Sequence, residues 1–144
     1  MVEFNAVVPE LTVSDLEKSL EFYLGLGFKV EYRRPESGFV FLSREGAQIM
    51  LEQYHLQGWN VAELTQPFGR GINFQIEASD IAPLLEALQR VNYPLYRPQQ
   101  ERWRRVGNEQ IAEIEFLVQD PDGYLLRFSQ YLGTHPIGEN HAQP

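Results

Sequence analysis

The side chains that could do covalent chemistry are few in this sequence of 144 residues, which has no cysteine and three histidines. Without cysteine there is no thiol nucleophile, no thiolate metal site and no disulfide. His55 follows Glu52 closely enough for a proton-transfer pair, but no third side chain is placed to orient it. We therefore expect His55, His135 and His141 to be surface histidines, and the sequence predicts no catalytic residue.

Side chains that could bind a ligand recur along the predicted strands, where apolar and polar residues alternate. Successive residues of a strand point to opposite faces, so an apolar face should pack on the helices. That apolar face contains Val7, Leu11, Val13, Ile49, Leu51, Ile72, Phe74, Ile76, Leu126 and Phe128. The opposite face contains Val8, Glu10, Thr12, Gln48, Met50, Glu52, Asn73, Gln75, Glu77, Leu125, Arg127 and Ser129. A sheet face this polar is either solvated surface or the lining of a wet cavity.

The elements that must position these side chains occur twice. Val13-Ser14-Asp15-Leu16 opens one amphipathic segment, and Ala78-Ser79-Asp80-Ile81 opens another. The segment from Gly46 to Leu51 is echoed by the segment from Gly123 to Phe128. Repetition of this kind indicates two copies of one supersecondary unit. Two such half-sheets could face each other and enclose their polar sides.

The first unit, residues 4 to 53, is predicted to be βαβββ. Ser14 followed by Glu17 is a capping box that begins a helix, and Gly25 or Gly27 supplies the left-handed residue that ends it. The residues on the buried stripe of this helix are Leu16, Leu20, Tyr23 and Leu24. The strands are predicted at residues 4 to 13, 28 to 34, 38 to 43 and 47 to 53.

The second unit, residues 71 to 130, repeats this order. Its helix has an apolar stripe of Ile81, Leu84, Leu85, Leu88 and Val91. Its strands are predicted at residues 71 to 78, 101 to 106, 111 to 118 and 124 to 130. Residues 54 to 70 should form an ordered connecting loop, and residues 131 to 144 a frayed tail. We expect residues 1 to 144 to be a single domain.

The net charge of −8 argues against a nucleic acid as partner, because such binding is driven by clustered lysine and arginine. Acidity either favours a cationic ligand or serves solubility alone. No segment approaches the roughly 20 apolar residues of a membrane span, and the N-terminus has no signal-peptide pattern. We therefore expect a cytoplasmic protein with no membrane contact.

Two short motifs at corresponding places carry a family resemblance. Val13-Ser14-Asp15-Leu16 precedes the first helix, and Asp120-Pro121-Asp122-Gly123-Tyr124 precedes the last strand. Together with the two βαβββ units, they resemble the vicinal oxygen chelate superfamily, which includes glyoxalases, dioxygenases and bleomycin resistance proteins. The resemblance implies an α+β fold in which two βαβββ modules form a cupped mixed sheet around a central site.

The resemblance also implies where a metal would be held. The metal enzymes of the superfamily place His or Glu at inward positions that match Val8, Met50, Asn73 and Arg127 here. Valine has no lone pair, methionine is too soft for oxygen-preferring metals, and arginine carries a fixed positive charge. We therefore expect neither a metal nor another cofactor.

Among metal-free members, the chain is most similar to bleomycin resistance proteins. The similarity lies in Ala6 to Asp15, in Leu20-Glu21-Phe22-Tyr23 and in Glu115-Phe116. It implies a role in antibiotic resistance, in which a homodimer exchanges N-terminal strands and sequesters a cationic glycopeptide antibiotic. Pro9 is either the hinge of that exchange or an edge-strand proline.

The aromatic and basic residues depart from that pattern. Ala112 occupies the place of a tryptophan that stacks on the ligand in the resembled proteins. Trp103 could reach the groove from the preceding strand and Trp59 could form a second wall, although both could equally be core or dimer-interface aromatics. The residues around Trp103 that would attract an anionic group are Arg102, Arg104 and Arg105.

Two classes of function follow. The first is a metal-independent protein that binds or sequesters a small molecule at Glu10, Met50, Glu52, Asn73, Gln75, Trp103 and Arg127. The second is an enzyme without a metal, in which Arg127 orients an anionic or carbonyl substrate and Glu10 or Glu52 acts as the base. A module that binds a partner protein cannot be separated from the first by sequence. We adopt the first.

Overall fold

The computed structural model describes residues 2–137, which divide into two compact units. The first unit runs to Gly71 and also includes Asp120–Tyr124. Its elements are β1 (Glu10–Val13), α1 (Leu16–Gly25), β2 (Lys29–Arg34), a short 3-10 helix (Pro35–Ser37), β3 (Phe39–Arg44) and β4 (Ala47–Gln53). They form a four-stranded sheet of order β1-β4-β3-β2, in which only the β1–β4 pair is parallel.

The second unit contains Ile72–Gln119 and the chain from Leu125 onward. Its elements are β5 (Asn73–Glu77), α2 (Ala82–Arg90), β6 (Arg97–Val106), β7 (Glu109–Gln119) and β8 (Leu125–Pro136). The strand order β5-β8-β7-β6, with only β5–β8 parallel, repeats the order of the first sheet. The predicted α+β fold with two βαβββ modules is thus confirmed. No helix in the described part of the chain has the length and hydropathy that crossing a membrane requires.

Each helix buries one apolar stripe, as the periodicity predicted, but both stripes are narrower than expected. In α1, Leu16, Leu20 and Tyr23 are buried, whereas Leu24 is 44% exposed. In α2, Leu84 and Leu88 are buried, and Val91 is already the residue that caps the helix, 68% exposed. Both exposed residues lie at or next to the C-terminal end of their helix, where the chain turns away and no further turn covers them.

The turn Asp120-Pro121-Asp122-Gly123 anchors the first unit. Asp120 is 3% exposed, and its Oδ1 accepts the backbone N–H groups of Asp122 and Tyr124 at 3.0 and 2.9 Å. Its Oδ2 accepts the hydroxyl of Tyr23 on α1 at 2.8 Å. Asp122 accepts the backbone N–H and the hydroxyl of Ser14 at 2.9 and 2.5 Å. These carboxylates therefore hold the turn against the first helix, Asp122 just before its start and Asp120 near its end.

This arrangement changes the predicted helix cap. Asp15 is the N-cap residue of α1, and its side chain accepts the backbone N–H of Lys18 at 3.2 Å. Ser14 had been the expected cap, but its hydroxyl is committed to Asp122. Because a single side chain cannot serve both partners, the capping position moves one residue along the chain.

The first strand is much shorter than predicted, because its regular pairing begins only at Glu10. Met50 donates its N–H to the carbonyl of Pro9 at 2.9 Å, and Pro9 itself has no N–H to give back. Before Pro9, Asn5 binds the side chain of Gln48 and the carbonyl of Gly46 instead of forming a ladder. Val7 is 81% exposed, so its predicted packing on a helix was wrong. Ile72, predicted to pack likewise, precedes β5 and is 50% exposed.

The strands β6 to β8 are longer than predicted. Residues 131 to 136 were expected to be a frayed tail, but they belong to β8 and pair with β7 from Glu109 to Glu113. The hairpin of β6 and β7 turns at Gly107, whose φ is +59°. His135 lies in this extension and packs against Trp103, with ring centroids 5.2 Å apart. Residues 138–144, including His141, lie outside the described residues.

Candidate functional site

The second unit has a groove with a volume of about 510 Å³, which we call the arginine groove. Strands β6, β7 and β8 supply most of its walls, because their polar residues alternate with the apolar residues of the core. Its lining residues are Arg97, Pro98, Gln100, Arg102, Trp103, Glu115, Leu117 and Arg127. Three guanidinium groups and a single carboxylate thus share one cavity.

Glu115 is the buried centre of this groove, with only 2% of its side chain exposed. Its Oε1 accepts Arg102 Nη1 at 2.9 Å. Its Oε2 accepts the hydroxyl of Ser129 at 3.0 Å and the Nη2 and Nε of Arg127 at 3.3 and 3.4 Å. Arg127 also lies 3.5 Å from the side-chain oxygen of Gln75 on β5. Both carboxylate oxygens are therefore satisfied by charged or hydroxyl donors.

Glu115 stays ionised in this setting. Burial by itself would raise its pKa, but the hydrogen bonds from Arg102 and Ser129 and the charges of Arg127 and Arg102 outweigh burial and lower the pKa. The arginines are less buried than their partner, since the side chains of Arg102 and Arg127 are 50% and 21% exposed. Glu115 consequently fixes the base of the groove while guanidinium N–H groups remain accessible to solvent.

The first unit has a separate cavity with a volume of about 250 Å³, which we call the carboxylate pocket. Its lining residues are Glu10, Arg34, Phe39, Glu52, His55, Gln57, Gly58 and Trp59. The guanidinium carbon of Arg34 lies 3.9 Å from the ring centroid of Phe39, which is a cation–π contact. Trp59, from the connecting loop, is 95% exposed and so is not a core residue.

Glu52 links two other titratable groups of the carboxylate pocket. His55 Nε2 lies 3.2 Å from Glu52 Oε1, so the pair considered from the sequence does form, and the His55 side chain is 43% exposed. Partial burial, the charge of Glu52 and a hydrogen bond with Glu52 raise the pKa of Glu10, while the charge of Arg34 opposes this rise. Two neighbouring carboxylates and an imidazole thus share this pocket.

The structure places the residues predicted to bind a ligand in two groups. Glu10 and Glu52 line the carboxylate pocket, and Met50 is the strand partner of Glu10. Trp103 and Arg127 line the arginine groove, and Gln75 is the strand partner of Arg127. Asn73 is exposed at the start of β5, opposite Leu125. Trp103 pairs directly with Ala112, so an aromatic ring lies beside the position where the resembled proteins carry their tryptophan.

Glu115, Arg97 and Ser129 were not among the predicted site residues, although the first two line the groove and Ser129 donates a hydrogen bond to Glu115. A signal for Glu115 was present in the sequence. Along β7 the carboxylates of Glu113 and Glu115 alternate with Ile114 and Phe116, which is the pattern of a strand with one polar face. For Arg97 there was no such signal, because β6 was predicted to begin only at residue 101.

The family model of the glyoxalase/bleomycin resistance protein/dioxygenase superfamily matches residues 4–128. The chain belongs to this superfamily. No curated protein sequence matches it significantly.

Several solved structures share the fold at low sequence identity. TioX from Micromonospora sp. ML1 has a TM-score of 0.66 and 18% identity, and the match covers 90% of this chain and 100% of that one. A superfamily member from Alicyclobacillus acidocaldarius has a TM-score of 0.61 and 21% identity, with coverages of 90% and 92%. A bleomycin-binding protein in complex with bleomycin has a TM-score of 0.56 and 21% identity, with coverages of 88% and 98%.

The resemblance assigned Val8, Met50, Asn73 and Arg127 to the metal positions of the superfamily. Val8 lies just before β1, and Asn73 is the first residue of β5. Met50 pairs with Glu10 in the first sheet as Arg127 pairs with Gln75 in the second. Arg127 lies in an ion pair with Glu115, and a guanidinium has no acceptor to offer a metal ion. Within residues 2–137, no group of three or more His, Cys, Asp or Glu side chains is arranged to hold a metal ion.

Proposed function

We propose that this superfamily member is a metal-independent protein of the bleomycin resistance type that binds or sequesters a small molecule. One observation carries the proposal: Arg127, at a position that matches a metal ligand in the superfamily's enzymes, is paired with the buried Glu115 in the wall of a cavity. A cation beside a fixed guanidinium would be repelled. The same guanidinium can bind polar groups of an organic ligand.

The size of the arginine groove supports a small molecule as the ligand. Its volume of about 510 Å³ falls within the range of roughly 300–1,000 Å³ that ligand pockets usually have. The groove combines charged groups with Trp103 and Leu117, so it offers both orienting polar contacts and apolar surface. This combination suits a partly aromatic ligand better than a simple inorganic ion.

A glycopeptide antibiotic is the specific ligand that we propose to test first, because a bleomycin-binding protein shares the fold. The experiment is a calorimetric titration of the EDTA-dialysed protein with copper-free bleomycin. Saturable heat without added metal supports sequestration of the drug and a role in antibiotic resistance. Absence of heat and of competition at high micromolar bleomycin would remove the drug from the proposal and leave the binding function to the probes described below.

We also propose that the protein is a cytoplasmic homodimer. Phe4 and Val7 in the segment before β1 are 62% and 81% exposed, and burying them against a second copy would remove apolar surface from water. Light scattering at micromolar protein concentration measures the mass of the particle in solution, and we expect twice the mass of the chain. A monomer at that concentration would contradict the dimer without affecting ligand binding.

A second candidate function is favoured by the carboxylate pocket. The raised pKa of Glu10 and the contact between Glu52 and His55 are what a general base requires. In this alternative Glu10 or Glu52 removes a proton from a carbonyl compound that Arg127 orients. Deuterium exchange at the methyl group of pyruvate, followed by NMR in D₂O, tests it. Exchange no faster than in buffer, or unchanged in Glu10→Gln and Glu52→Gln, would contradict it.

A further inference from the structure

We propose that the ligand of the arginine groove is an anion: a small molecule in which a carboxylate or phosphate group is attached to a planar ring. The inference rests on the proposed binding function and names the class of its ligand. It departs from the cationic ligand that the overall acidity and the family resemblance would suggest.

The charge of the groove is the first step of the argument. The protein carries a net charge of −8, yet three arginines and one glutamate line this cavity, which leaves two positive charges in excess. The local charge of the groove is therefore opposite in sign to the net charge of the protein. Positive charge inside a cavity with low-dielectric walls focuses the field and attracts anions.

The arrangement of the arginines is the second step. Glu115 takes up one N–H of Arg102 and two of Arg127, and each guanidinium has five N–H donors in a planar fork. The buried carboxylate thereby holds the two forks in place without using all of their donors. Arg97 has no carboxylate within ion-pair distance among residues 2–137, and its guanidinium lies 5.8 Å from the ring centroid of Tyr96. Planar oxyanions fit such forks through two parallel hydrogen bonds.

The aromatic wall of the groove is the third step. Trp103 is half-buried, pairs with Ala112 on the next strand and contacts His135 at a ring-centroid distance of 5.2 Å. These contacts hold its indole in place beside the arginines. A ring attached to the oxyanion can therefore pack against Trp103 while its charged group reaches a guanidinium.

The test uses probes that share one ring and differ only in charge: 2-naphthoate, 2-naphthamide and 2-naphthylmethylammonium. Calorimetric titration of the full chain should show 2-naphthoate binding about tenfold or more tightly than the amide, and the ammonium binding most weakly. Comparison of 2-naphthyl phosphate with 2-naphthoate then tells which oxyanion the groove prefers, and either preference supports the proposal. Equal affinity for the three charge types, or preference for the ammonium, would overturn the anion assignment while the binding function stands. No binding of any naphthalene probe or of bleomycin would overturn both.

Variants locate the site. Arg97→Gln leaves both ion pairs of Glu115 intact, so the variant should fold normally. It should weaken the binding of 2-naphthoate about tenfold and leave the affinity for 2-naphthamide unchanged. Arg102→Gln should have a similar effect. The matched control is Arg105→Gln, because Arg105 lies on the same strand, outside the groove, and loses the same charge. If Arg105→Gln weakens 2-naphthoate as much as Arg97→Gln does, the effect is that of net charge and the groove is not the site.

Discussion

Asp120 makes the protein less stable at neutral pH than at mildly acidic pH, and Asp120→Asn should remove that dependence. Burial raises the pKa of Asp120 to about 6, with a contribution from the charge of Asp122, although hydrogen bonds from Tyr23 and from the backbone of Tyr124 and Asp122 oppose the rise. Because the folded-state pKa is above the ordinary value of 3.8, the folded protein binds this proton more tightly than the unfolded chain does. The stabilisation is therefore complete below about pH 4 and is lost as the pH rises through about 6.

The size of the effect follows from the pKa. A rise from 3.8 to about 6 spans about two pH units, and each unit corresponds to about 1.4 kcal/mol. The free energy of unfolding of the wild-type protein should thus lose about 3 kcal/mol from this source between pH 4 and pH 7. Asparagine can still accept the N–H groups of Asp122 and Tyr124 through Oδ1, and its NH₂ group can donate to the hydroxyl of Tyr23.

Urea unfolding of both proteins at intervals from pH 4 to pH 8 measures the difference. The difference in free energy of unfolding between Asp120→Asn and wild type should shift in favour of the variant by about 3 kcal/mol as the pH rises from 4 to 7. Tyr23→Phe removes a hydrogen-bond donor that lowers the pKa of Asp120. In this variant the pH-dependent loss of stability should therefore occur at a higher pH than in wild type. Glu86→Gln, an exposed position on α2, controls for the lost charge. If the difference between Asp120→Asn and wild type stays constant from pH 4 to pH 7, the reasoning about Asp120 is wrong.

Three further predictions concern stability. Gly123→Ala should lower the free energy of unfolding by more than about 2 kcal/mol, because φ is +103° and an added Cβ would lie 2.4 Å from Pro67. The control Gly46→Ala, at φ +87° but with open space around the added Cβ, should lower it by about 1 kcal/mol. Equal losses for the two variants in chemical denaturation would refute the clash with Pro67. Ser19→Ala should raise the free energy of unfolding by about 0.5–1 kcal/mol, since the buried Ser19 hydroxyl has no hydrogen-bond partner among the described residues. A melting temperature below that of the wild type would show that this hydroxyl does have a partner. Glu115→Gln should lower the free energy of unfolding by about 1–3 kcal/mol at pH 7, a range that allows for solvent screening of the half-exposed Arg102. Because the pKa of Glu115 is lowered, this loss should shrink as the pH falls below 4.5. A loss that does not depend on pH would contradict the ion pairs.

The repeated pattern of the sequence was sufficient to predict the order of elements, because each motif is local. The strand β4 (Ala47–Gln53) has its predicted bounds, since alternating residues between Gly46 and Tyr54 mark both of its ends. The helix cap was not predictable in the same way. Ser14 and Asp15 are both good caps by type, and the choice between them depends on Asp122, which lies 108 positions further along the chain.

The end of β8 shows the same limit more strongly. Gly133 and Pro136 have low preference for strands, so local sequence predicts a frayed end. They are extended because β7 continues to Glu109 and offers its hydrogen-bonding groups to them. This long-range pairing overrides local preference, and it also brings His135 against Trp103.

The candidate site was predictable as a face of the sheet but not as a set of contacts. Alternation correctly placed Gln75 and Arg127 on one side of their strands, where they are neighbours. The sequence could not show that Arg127 would pair with Glu115, because that contact depends on the register between β7 and β8. The arginines around Trp103 had already indicated an anionic group, but that Arg97 and Arg127 line the same groove as Arg102 became evident only when the strands were placed.

The most direct test of the central claim is the affinity of 2-naphthoate measured by calorimetry on one protein sample after dialysis against EDTA and again after addition of Mn²⁺. We predict saturable binding in the EDTA-treated protein, with an affinity that Mn²⁺ changes by less than about twofold, because Arg127 places a fixed positive charge in the wall of the groove. Binding that appears only after Mn²⁺ is added would contradict a metal-independent binding protein.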